Sequence, residues 1–102
     1  LVVEELTTSE VLTEELVTGR NITDSVGLDA AGVDRRTLAH TATDALIRMV
    51  LVDGFFHADP HPGNLFVAAD STIWLIDFGM VGRLNPAARE DLLWLLLAEV
   101  LL

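Results

Sequence analysis

Two short apolar runs, Leu65-Phe66-Val67 and Ile73-Trp74-Leu75-Ile76, flank the polar stretch Ala69-Asp70-Ser71-Thr72. β-Branched and aromatic residues on either side of an Asp-Ser turn predict an antiparallel hairpin. This hairpin constrains the chain because of what stands at its open end. Asn64 immediately precedes the first run and Asp77 immediately follows the second. Antiparallel pairing brings the chain back to its starting point. An amide and a carboxylate thirteen residues apart therefore converge, and any fold containing the hairpin carries two oxygen ligands at one edge.

The stretch before Asn64 sharpens the chemistry. In His57-Ala58-Asp59-Pro60-His61-Pro62-Gly63-Asn64, a second carboxylate stands five positions ahead of the Asn. Pro60 and Pro62 fix φ and stiffen the backbone between Asp59 and Asn64, and Gly63 frees the turn that brings Asn64 inward. Reactions governed by positioning need such rigidity. Magnesium takes oxygen ligands from one or two side chains plus nucleotide phosphates. An Asp, an Asn five on and an Asp thirteen beyond is the layout of a phosphoryl-transfer site, with Asp59 facing the attacking hydroxyl and Asn64 and Asp77 on the metal. Asp and Asn also favour turns, so each alone says little; the joint spacing carries the reading.

Protein kinases arrange the same chemistry as a H-R-D-x-x-x-x-N loop followed by D-F-G, and Asp77-Phe78-Gly79 stands here. The full run Gly54 to Leu65, with Leu75 to Gly82, resembles the UbiB-type (AarF-like) atypical kinases of ubiquinone biosynthesis. Aminoglycoside and choline phosphotransferases share a related His-x-Asp-x-x-x-x-Asn loop but are less similar after the second Asp. The resemblance covers nearly the whole chain and implies an α+β fold, part of a protein-kinase-like domain. Residues 1–19 would be the last N-lobe strands and hinge, and residues 20–102 the C-lobe part with the catalytic loop. It implies ATP and Mg2+ as cofactors, Asp59 as catalytic base, and Asn64 and Asp77 on the metal. Glu15 and Gly19 would border the nucleotide, with the adenine beside the hinge at residues 11–19. The phosphoryl acceptor would be a small or lipid-related molecule. A cytoplasmic protein is expected, with any membrane association and the remainder of the kinase domain supplied by segments outside these residues.

Composition sets limits. Six basic residues against 16 acidic ones give a formal charge of −10, which argues against nucleic acid or anionic lipid as an electrostatic partner. All six basic residues are Arg, so the N-lobe Lys with which kinases hold the nucleotide phosphates is not among these 102 residues. This favours a second reading, a non-catalytic nucleotide-binding module. There is no cysteine, which excludes disulfides and thiolate metal sites. The start is acidic, without the charged region of a signal peptide. The chain is short for a complete kinase fold and reads as part of a larger one.

Elsewhere the pattern is local. Val2-Val3 and Val11-Leu12 around Thr7 to Ser9 predict a hairpin, and residues 21–33 a loop with one helical turn. Leu38, Ala42, Ala45, Leu46, Met49 and Val50 recur at helical steps, predicting a helix over about 34–52 with Asp34 as N-cap, an Asp44–Arg48 pair and Gly54 just past its end. Asn85-Pro86 starts another helix, nearly all apolar from Leu92 to Leu102 apart from Glu99. Eleven such residues are too few to span a bilayer, so burial within a larger domain or self-association is expected. His57 reads as a packing residue, His61 as a phosphate contact or a structural one, His40 as surface, and Trp74 and Trp94 as core or interface aromatics. His57-x-Asp59-x-His61 also offers a weak zinc pattern, against which the proline stiffening counts.

Overall fold

A computed structural model describes all residues, 1–102. The predicted hairpin forms. β3 (Leu65–Val67) pairs antiparallel with β4 (Ile73–Leu75), Leu65 facing Leu75 and Val67 facing Ile73. Its turn closes through Ala68 N–H to Thr72 O, and Ser71 takes a left-handed φ of 67°. β1 (Arg20–Asn21) adds to the other edge of β3, giving a three-stranded sheet in the order β1-β3-β4. A second, two-stranded sheet joins β2 (Phe55–His57) to β5 (Val81–Arg83).

The helices begin where their caps say they should. Asp24 accepts the Gly27 N–H ahead of α1 (Ser25–Ala30). Asp34 opens α2 (Arg35–Arg48), accepting the Arg36 N–H at 3.0 Å and the Thr37 hydroxyl at 2.7 Å. The Thr37 hydroxyl first, then the Arg36 N–H, hold the Asp34 carboxyl below its ordinary pKa. The helix predicted to run to about 52 changes character at Met49, where Met49–Asp53 winds as a π-helical turn. Gly54 ends it at φ 63°, as expected of the left-handed position after a helix. A side chain at Gly54 would also meet the Leu84 carbonyl at 2.6 Å, so glycine lets β5's exit lie against the turn. Asn85 caps α3 (Pro86–Leu101) by accepting the Ala88 N–H.

Two expectations need correction. Residues 1–17 do not form two strands; a single bridge joins Val2 and Glu14, with a 3-10 turn at Glu4–Leu6 between. Threonine hydroxyls displace the ladder: Thr7 Oγ1 donates to Val3 O and accepts the Thr13 N–H, while Thr13 Oγ1 donates to Leu6 O. Asp44 and Arg48 form no ion pair; the side-chain pairs present are Arg20–Asp24 at 3.3 Å and Arg35–Asp29 at 2.9 Å. As expected of these residues taken alone, the apolar α3 is left uncovered: it has no buried residue, and Trp94 is exposed.

Leu28, Val33, Leu38 and Val67 form the buried core, with Ile22 and Ile73 packed on it. The molecule is a slab 18 Å thick. Its accessible surface, 7693 Å², exceeds the roughly 5,700 Å² of a closed monomer of this mass. The radius of gyration, 16.4 Å against about 13 Å for a compact domain, agrees. These residues make layers without closing a core. No helix is long and apolar enough to cross a membrane.

Candidate functional site

His57 ends β2 and is almost fully buried. Its Nδ1 accepts the Asp59 N–H at 3.0 Å, and its Nε2 lies 3.0 Å from the Ile76 carbonyl. A ring nitrogen that accepts an N–H carries no proton, so the proton is on Nε2 and is donated to Ile76. The ring lies 5.0 Å from that of Phe78, tilted by 59°. His57 thus joins Asp59 to the residue before Asp77. Both nitrogens are engaged, so His57 cannot serve as a zinc ligand in this arrangement. His61 turns its Nδ1 to the Gly63 N–H and caps the 3-10 turn Pro62–Asn64.

That turn delivers Asn64. Its Nδ2 donates to the Asp59 carbonyl at 3.2 Å, and its own carbonyl accepts the Ile76 N–H at 3.0 Å. Asp59 and Asn64 are therefore joined directly, and Asp77 follows the residue paired with Asn64. Because a carbonyl can only accept, the Asn64 nitrogen must face Asp59, and Oδ1 takes no donor from the protein. Asp77 sits at φ 58°, a left-handed conformation that Asp tolerates better than most side chains, and its Oδ1 is 3.4 Å from the Gly79 N–H. The Asp77 carboxylate and the free Asn64 amide oxygen are both hard-oxygen donors, of the kind that suits Mg2+ and would not select a soft metal.

Asp77 also borders a groove of about 1250 Å³ lined mostly by apolar side chains, among them Leu12, Val17, Phe55, Phe66 and Phe78. Glu15 and Glu14 lie on the same groove. Asp59, Asn64 and Gly19 do not line it. Gly19 instead packs on β3, where a Cβ would meet the Val67 carbonyl at 2.6 Å; close backbone approach is reason enough for glycine there. The structure therefore forms two groupings, Asp59 with Asn64 and Glu15 with Asp77, adjoining where Ile76 meets Asn64.

Sequence reasoning passed over the aromatic lining. Phe55, Phe66 and Phe78 come from three separate segments; Phe55 and Phe78 stand within the runs that carry the resemblance, but neither was read as lining a groove. It also passed over Gly82, whose missing side chain makes room for the Phe56 ring.

The family model for the ABC1 atypical kinase-like domain matches residues 1–101. The chain belongs to that family. Among ABC1-type relatives it is 42% identical over 98 residues to the probable protein kinase UbiB of Marinobacter nauticus, covering 92% of this chain and 18% of that protein. It is 45% identical over 91 residues to the chloroplastic protein ACTIVITY OF BC1 COMPLEX KINASE 8 of Arabidopsis thaliana, covering 87% and 12% respectively. The uncharacterized protein slr0889 of Synechocystis sp. is 59% identical over 56 residues, 55% of this chain and 14% of that protein. The chain thus spans less than a fifth of the length of these relatives.

Proposed function

We propose that this chain carries the metal and acceptor side of a phosphoryl-transfer centre in an ATP-dependent atypical kinase or ATPase of the UbiB type. One observation supports this above others. Asn64 binds the Asp59 backbone with its nitrogen and leaves its oxygen without a protein donor, at the end of the hairpin that leads into Asp77. Asp77 and Asn64 are the residues that hold Mg2+, which when bound neutralises phosphate charge. Asp59 orients the acceptor hydroxyl and takes its proton on the carboxylate. The apolar groove beside residues 12–17 receives the adenine of ATP, with Glu15 at its border. Gly19 contributes by keeping the backbone that follows the groove close to β3.

The acceptor we assign is a small or lipid-related molecule, within ubiquinone biosynthesis, in a cytoplasmic protein whose membrane association lies in segments beyond these residues. The remainder of the kinase domain covers α3, whose apolar side chains are exposed. Nothing in an acidic chain of this kind favours nucleic acid. A second reading is a nucleotide-binding regulator without turnover, since the same residues could hold Mg2+ and ATP without transferring phosphate.

The test uses the full-length parent. Asp77→Asn abolishes Mg2+-dependent ATP binding measured by calorimetry, and unchanged affinity would remove the metal assignment. Asp59→Asn keeps ATP binding and loses turnover. A wild-type parent that binds ATP but never turns it over, with or without candidate lipids, selects the regulator.

A further inference from the structure

The 3-10 turn Pro62–Asn64 hands Asn64 to the site, and such turns have poor internal hydrogen-bond geometry. Its closing bond runs from the Leu65 N–H to the Pro62 carbonyl. The same carbonyl takes a second donor from far away in sequence, the side-chain Nδ2 of Asn21 at 3.2 Å. The other end of that amide is held as well. Asn21 Oδ1 accepts the Thr23 N–H at 2.9 Å and the Thr23 hydroxyl at 2.6 Å. Two donors on one end and a carbonyl on the other fix which atom is oxygen and which nitrogen.

The backbone under Asn21 is equally constrained. Asn21 stands opposite Phe66 in the β1–β3 ladder, and Ile22 N–H donates to the Leu65 carbonyl at 3.0 Å. Asn21 therefore grips the turn from the strand that borders it, at a carbonyl two residues before Asn64. Asn21 belongs to none of the groups assigned to metal, nucleotide or acceptor, and it lies outside the buried core.

We propose that Asn21 is a positioning residue for the metal site. Its amide holds the Pro62 carbonyl, so that Asn64 keeps its bond to Asp59 and presents a free Oδ1. The inference rests on the reading of Asn64 as a Mg2+ ligand. Asn21→Asp isolates the effect: it retains an oxygen for the Thr23 donors but replaces the Pro62 donor with an oxygen that repels the carbonyl.

The experiment titrates Mg2+ against ATP binding in the full-length parent for wild type, Asn21→Asp, Thr23→Val and Asn64→Ala. Thermal unfolding, and hydrogen exchange at the Leu65 amide without nucleotide, are followed in parallel. Asn21→Asp raises the half-saturating Mg2+ concentration about tenfold, the low end for groups that support a metal ligand. It also speeds Leu65 exchange. Thr23→Val, which removes one bond orienting the amide, shifts Mg2+ dependence the same way by less, and serves if Asn21→Asp does not fold. If Asn64→Ala weakens Mg2+ dependence while the folded Asn21 and Thr23 variants do not, the clamp is overturned and the metal reading stands. If Asn64→Ala itself changes nothing, the metal reading falls and this inference with it. A lower unfolding temperature without a Mg2+ shift also overturns it, since that is what a purely structural contact would give.

Discussion

The imidazole of His57 accepts the backbone N–H of Asp59 at 3.0 Å, and this single bond orders the start of the Asp59–Asn64 loop. With Nε2 spent on Ile76, one buried ring fastens two loops that would otherwise be tied only by backbone. His57→Phe keeps the volume and leaves an N–H and a carbonyl without partners. Each such loss costs roughly 1–3 kcal/mol, so the variant should be less stable by about 2–6 kcal/mol in urea denaturation of the parent. A loss under about 0.5 kcal/mol would mean water replaces both bonds.

Gly82→Ala tests the small sheet. The added methyl would sit 2.2 Å from the Phe56 ring, which stands opposite it in the β2–β5 ladder. Overpacking of this kind costs about 1–3 kcal/mol. Phe56→Leu should recover part of that loss in the double variant. Equal losses with and without the phenyl ring would place the strain elsewhere.

Asp34 gives a pH signature. Its hydrogen bonds to Thr37 and Arg36 depress the folded-state pKa below the ordinary 3.8. A depressed carboxyl contributes stability above its unfolded value, lost as pH falls through the folded value. Asp34→Ala should therefore lower the unfolding temperature at pH 7, and the gap to wild type should close as pH drops below about 3.8. A gap that persists unchanged at pH 2 would show that the charge-assisted cap is not its source.

Residues 1–102 studied alone should associate. Trp94, Val100 and Leu101 are 64%, 81% and 77% exposed, and the excess surface of about 2,000 Å² is of the size that obligate interfaces bury. Sedimentation should give a weight-average mass that rises with concentration, and Trp94→Glu with Val100→Glu should reduce it. A concentration-independent monomer would contradict the expectation.

The legible parts of this fold are those specified by neighbours in sequence. Asp34, Gly54 and Asn85 announce helix boundaries through side chains that act within three residues, and the β3–β4 hairpin follows from its own alternation and turn. The spacing of Asp59 and Asn64 along a proline-stiffened loop was legible, but the bond from the Asn64 amide to the Asp59 backbone carbonyl was not, since the sequence reading concerned only their side chains. Residues 1–17 misled because hydroxyls of Thr7 and Thr13 compete with strand bonds, a choice that apolar pattern cannot register. The π-helical turn at Met49–Asp53 follows a helix whose periodicity runs on without a break, and we have no physical account of its start. The Asn21–Pro62 contact spans forty-one residues and leaves no local trace.

The register of the hairpin changes how the motif should be searched for. Asn64 and Asp77 stand at the same end of the hairpin because Leu65 faces Leu75, while Ala68 to Thr72 turns at the far end of the ladder. The chemistry is indifferent to how many residues that turn contains. A chain could insert several between Val67 and Ile73, keep the ladder, and present the same two oxygens from a quite different interval. Fixed-interval patterns would pass such chains by, whereas a pattern anchored on the paired strands would find them.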